Sequence, residues 1–134
     1  MDSNEVFSSS YQRCCIDQEF LTYFLQHFCR TNPRFSERFG GVDIDQQTKM
    51  LKASIILIHN ASENAYVRNN VKNLAIQHKN LGLNIKGEEL VAWRESLLVT
   101  VKAFDPHYND DIDDAWRSAL KVGMELMKEH ATYS

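Results

Sequence analysis

The stretch NVKNLAIQHKNLGL, residues 70–83, decides how the rest of this chain is read. Val71, Leu74, Ala75 and His78 follow one another at spacings of three, one and three, so all four share one face of a helix. The run breaks at Leu81-Gly82-Leu83, as a helix terminus would. His78 therefore stands where the apolar stripe calls for another hydrophobe, and its imidazole is expected to point inward.

Outward from that helix the pattern is helical throughout. After a polar start, Val6, Phe7, Tyr11 and Cys14 can line a short first helix, and residues 1–10 are expected to be a polar, partly ordered N-terminus. Over 17–30, Phe20, Leu21, Phe24, Leu25 and Phe28 form a broad stripe with Gln18, Thr22 and Gln26 outside. Asn32 and Pro33 open a short turn carrying Phe35 and Phe39, which Gly40 and Gly41 end. Residues 45–61 hold Met50, Leu51, Ile55, Ile56, Leu57 and Ile58, an apolar density that predicts a helix buried on more than one side. Gly87 to Phe104 shows Leu90, Leu97, Leu98, Val101 and Phe104 on one side, and Asp105-Pro106 stops it. A last helix opens with Asp110, Asp111, Asp113 and Asp114 and continues through Ile112, Trp116, Ala119, Gly123, Leu126 and Met127, with Lys128 and His130 in its final turn. The expected class is all-α, and the 134 residues form one domain over 1–134 with a core large enough to need no staple.

Composition narrows the function. A net charge of -3 with no clustered Lys and Arg argues against nucleic acid as a partner. No apolar run approaches the roughly 20 residues that span a bilayer, and residues 1–10 have no signal-peptide pattern, so no membrane is expected and the expected compartment is the cytoplasm. Cys14, Cys15 and Cys29 lack zinc-ligand spacing and read as reduced thiols. The four aspartates lack the glycine and distal glutamate of a calcium loop and read as helix capping. Trp116 reads as core, and Trp93 as core or interface. No phosphate loop, nucleophile elbow, HExxH or paired CxxC occurs. For His78 two uses stand open: a core histidine hydrogen-bonded to backbone or water, or the single neutral imidazole that holds a haem iron.

The order of parts then favours the second. Pro33 is followed six residues later by Phe39, then a long apolar helix, then the His78 segment, then two long helices with Ala115-Trp116 in the last. From about 17 to 127 this resembles a globin, most closely the bacterial single-domain globins and the haem domains of flavohaemoglobins and globin-coupled sensors. The resemblance implies a three-over-three helical sandwich of about six to seven helices holding haem b (iron protoporphyrin IX), with His78 as the metal ligand, Phe39 stacked on the haem and Leu83 against the porphyrin. The porphyrin would lie in an apolar slot between the helix carrying Met50 and Leu51 and the helix carrying His78. The second ring nitrogen of His78 would donate to a carbonyl such as that of Leu74, and Gln77 either modulates that side or is simply solvated. On the distal side the resemblance places Leu25 over the ligand. The next helix offers Gln46 or Gln47 as hydrogen-bond donors, Met50 or Leu51 as shields, and Lys49 as a ligand if burial deprotonates it, or else a plain surface lysine.

Three departures qualify the resemblance. Flavohaemoglobins usually carry tyrosine at the Leu25 position, whereas Tyr23 is two residues away and should face elsewhere. Their tyrosine in the next-to-last helix is replaced by an apolar residue near Leu90, and their last-helix glutamate has no clear counterpart. Those groups favour oxygen activation. The expected function is reversible binding of a diatomic gas (O2, NO or CO), for gas binding or sensing. Alternatives are nitric-oxide dioxygenation with a separate reductase, or a haem-free globin-fold interaction domain. The protein is expected as a monomer or a homodimer, the dimer formed through the last two helices with Trp93 or Trp116 exposed.

Overall fold

The computed structural model describes residues 3–14, 16–31, 49, 52–56, 60, 64–80 and 87–131. Five helices are delimited: α1 (Ser3–Cys14), α2 (Gln18–Thr31), α3 (Ala65–Asn80), α4 (Gly87–Phe104) and α5 (Asp110–Ala131). Residues 52–56 are also helical, and no strand occurs among the described residues. Three helices begin the same way. Asp17 Oδ1 accepts from Phe20 N–H at 3.2 Å, Asn64 Oδ1 from Tyr66 N–H at 2.8 Å, and Asn109 Oδ1 from Ile112 N–H at 2.9 Å. Each carbonyl or carboxylate thus satisfies a first-turn donor that the helix cannot.

The helices pack in pairs, α1 on α5, α2 on α4, α3 on α5, with α4 against both α5 and α1. Phe7, Cys14, Phe20, Leu21, Phe24, Phe28, Leu97, Leu98, Val101, Ile112, Trp116 and Leu120 form the main core. Aromatic rings interlock at these contacts: Phe7 meets Trp116 edge-on at 4.7 Å between centroids, and Phe24 meets Trp93 edge-on at 5.8 Å. α4 and α5 are also clamped on the outside. Arg117 donates to both Glu95 oxygens at 2.9 and 3.0 Å and to Asp113 at 2.7 Å, while Tyr108 Oη donates to the other Asp113 oxygen. Arg117 holds the Glu95 carboxyl below its ordinary range, against the opposing effect of burial and with help from Arg94. Burial first, and the Asp113 contact second, push the Tyr108 phenol up to about 12.

Three expectations change. Residues 3–10 belong to helix α1 and do not form a partly ordered tail, because Phe7 and Ser10 are buried. The helical stretch 52–56 is not buried on more than one side at Ile56: Ile55 is fully buried, but Ile56 is 50% exposed. Trp116 is fully buried, so it cannot present itself to a second copy, whereas Trp93 is half-buried.

The residue that pins α1 in place is Asp105, just past the end of α4. Its side chain is fully buried. It accepts Ser10 Oγ–H at 2.6 Å, Arg13 Nε–H and Nη2–H at 2.7 and 3.0 Å, and the His107 backbone N–H at 2.9 Å. Ser10 Oγ in turn accepts from Trp116 Nε1–H at 2.9 Å. Burial alone would raise the Asp105 carboxyl, but Arg13, Ser10 and the His107 amide prevail and hold it down at about 2. Because the folded value is depressed below the ordinary 3.8, the stability it supplies is complete above that value. It is lost as pH falls toward about 2 and amounts to roughly 2 kcal/mol. Asp105→Asn is expected to cost about 3 kcal/mol at neutral pH. Urea unfolding at neutral and acid pH should show the variant losing this part of the acid dependence; an unchanged acid profile would contradict the assignment.

Candidate functional site

Helix α3 supplies the clearest geometry. Asn64 caps it, and beyond the first turn it lies against α5. Val71 and Ala75 are fully buried, Leu74 and Ile76 half-buried, and Lys72, Asn73 and Gln77 exposed. A helix advances about 100° per residue, so position 78, seven after Val71 and three after Ala75, lies on the same face as both. Position 78 is helical; its side chain lies outside the described residues. The exposed Gln77 is a solvated helix residue.

Helix α2 contributes a second wall. Phe20, Leu21, Phe24 and Phe28 are buried, and Leu25 is half-buried against the core. The part facing α4 is identified by contacts: Phe20 packs with Phe104 at 5.4 Å, Phe24 with Trp93, and His27 Nδ1 lies 2.9 Å from the buried Ser96 Oγ. Leu21 and Leu25 form an adjacent row one turn apart. Tyr23 faces elsewhere, 40% exposed and edge-on to Phe104 at 5.8 Å. The fully buried Ile55, in the helical stretch 52–56, joins the same core.

The remaining candidates separate plainly. Lys49 is exposed, as a surface lysine is. Phe39, Gln46, Gln47, Met50, Leu51 and Leu83 lie outside the described residues, as does Pro33. Leu90 is half-buried in the first turn of α4. Among the described residues α5 has no buried carboxylate: Glu125 and Glu129 are both exposed. The buried acid in this part of the chain is Glu89 on α4, which periodicity did not single out. Its neighbour Glu88 is exposed, and two identical adjacent residues carry no sequence signal that separates them.

No three His, Cys, Asp or Glu side chains come together to hold a metal among the described residues. Nor is any described helix long and apolar enough to cross a membrane.

Helix pairs α1–α5, α2–α4 and α3–α5 around an apolar centre define a globin fold, and the chain resembles the bacterial single-domain globins. The crystal structure of a protein from Pseudomonas aeruginosa PAO1, described as structurally highly homologous to a human hemoglobin, is similar over 98% of this chain and 100% of that one, with a TM-score of 0.87 and 26% identity. No family model and no curated protein matches the chain.

The α3–α5 contact gives a direct test. Ala75→Leu adds volume at a fully buried position and should cost about 1–3 kcal/mol, whereas Gln77→Ala should stay within about 0.5 kcal/mol. Thermal unfolding of the two variants measures this; equal midpoints would show that α3 does not bury the face carrying position 78.

Proposed function

We propose that this protein is a haem-binding globin that reversibly binds a diatomic gas, with His78 as the iron ligand. The observation that carries the reading is the register of α3. Fully buried Val71 and Ala75 mark the inward face, and the chain has an imidazole-bearing residue at the next position on that face. An imidazole among apolar residues costs free energy unless it has a partner.

The donor chemistry fits haem. One imidazole cannot hold a metal ion by itself, but it suffices for an iron whose four other ligands come from a porphyrin. Apolar, half-buried side chains such as Leu25 suit the surroundings of such a ring, because burying it removes apolar surface from water. The haem, held by His78, would supply an iron atom able to take up a small gas. The chain's own contribution is to hold the imidazole on a capped helix braced by α5, with apolar side chains that exclude water. A carbonyl one turn back, such as that of Leu74, would fix the ring tautomer. Exposed Glu125 and Glu129 leave α5 without a described buried acid to make that imidazole more basic, which supports gas binding or sensing over nitric-oxide dioxygenation. Oxidative turnover would also require a source of electrons.

The test is an absorption spectrum after haem reconstitution, ferric and then ferrous, with and without carbon monoxide. The expected result is a stoichiometric Soret band that shifts with carbon monoxide in the wild-type protein, and loss of stable haem retention in His78→Ala. Full haem stoichiometry in that variant would defeat the ligand assignment, and no Soret band in the wild type would leave a haem-free globin-fold domain.

A further inference from the structure

A surface groove where α2 meets the end of α4 has no part in the haem reading. It holds about 430 Å³ and is lined by Gln18, Glu19, Thr22, Tyr23, Gln26 and Phe104. Glu19, Thr22, Tyr23 and Gln26 follow one another at helical spacing and are all exposed, so they form one outer face of α2. Two of the lining residues make an aromatic corner. The Tyr23 ring is 40% exposed and stands at 85° to the ring of Phe104, with 5.8 Å between centroids. Phe104 is backed at 5.4 Å by the fully buried Phe20, so the corner is held in place by the core. Among the described residues Glu19 is the one ionised group of the lining, and no cation pairs with it.

We infer that this groove is a binding site for a small organic cation that carries N–H donors, of the guanidinium or alkylammonium class. The faces of aromatic rings present negative charge, and a cation set in the corner between Tyr23 and Phe104 meets two rings at once. Glu19 supplies the opposite charge, while the Thr22 hydroxyl and the Gln26 amide offer oxygens that accept N–H bonds. An anion would meet Glu19 and no positive group. The volume suits a ligand of small-molecule size, and the corner needs no rearrangement to receive it.

The experiment follows the amide NMR spectrum of the full chain during titration with methylguanidinium chloride at constant ionic strength. Tetramethylammonium chloride and sodium chloride serve as comparison titrations. Saturable shifts grouped on residues 18–26 and 102–105 are expected with methylguanidinium. The dissociation constant should be on the order of millimolar, because aromatic faces and an exposed carboxylate are each weak contacts. Tetramethylammonium, which cannot donate a hydrogen bond, should bind more weakly, and sodium chloride should leave the group unmoved. Tyr23→Leu and Glu19→Gln are each expected to weaken binding about threefold. Both positions are at the surface, and if Tyr23→Leu disturbs the fold, Glu19→Gln decides alone. Shifts that do not saturate, that are matched by tetramethylammonium, or that persist unchanged in Glu19→Gln overturn the inference. None of these outcomes bears on the haem reading, whose residues lie elsewhere.

Discussion

A buried carboxylate ties the beginning of this chain to its later helices. Asp105 collects donors from Ser10 and Arg13 on α1 and from the His107 amide in the α4–α5 corner, and Ser10 passes the connection on to Trp116 on α5. A buried ion pair gives little net stability over a well-packed apolar alternative, but its cost when half is missing makes it selective. Only one placement of α1 satisfies Asp105, so this cluster sets where Phe7 meets Trp116. Trp116 in turn fixes one face of α5, against whose length α3 is packed.

That chain of dependence bears on the site. α3 places Val71 and Ala75 inward only because α5 provides a surface to bury them. α2 turns Phe20 and Phe24 toward α4, and the neighbouring row has Leu21 buried and Leu25 half-buried against the core. The apolar character of that row goes with His27 lying beside Ser96 and with Glu19, Thr22, Gln26 and Arg30 exposed.

Much of the helical layout was legible in the residues themselves. The α4 pattern begins and ends where the helix does, at Gly87 and Phe104, because Pro106 and the Asp105 turn permit no continuation. The stripe on α2 predicted its buried face at Phe20, Leu21, Phe24 and Phe28, with Leu25 half-buried at its margin, since a single broad apolar arc can satisfy only one orientation. Failures occurred where adjacent residues are chemically alike. Ile55 is buried and Ile56 half exposed; Glu89 is buried and Glu88 exposed. Local apolarity or charge cannot separate such pairs, because the difference lies in which neighbour happens to cover them. The N-terminal stretch was underestimated for a related reason: Ser10 looks like a solvent residue until Asp105 and Trp116 are brought beside it.

The sequence alone determined that this is an all-α chain in which a histidine follows the apolar stripe of one helix at helical spacing, because helical periodicity is a local property that 3.6 residues per turn imposes. It also showed Asp105 ending a helix, but nothing in its neighbours revealed a buried charge. Only the tertiary structure decided that this carboxylate, 92 residues from Arg13 along the chain, would be desolvated and paired. Likewise only the packing of α2 on α4 decided that His27 would meet Ser96, 69 residues away along the chain. The reason is common to both: burial and partnership depend on segments far apart in the chain, and no local pattern records them.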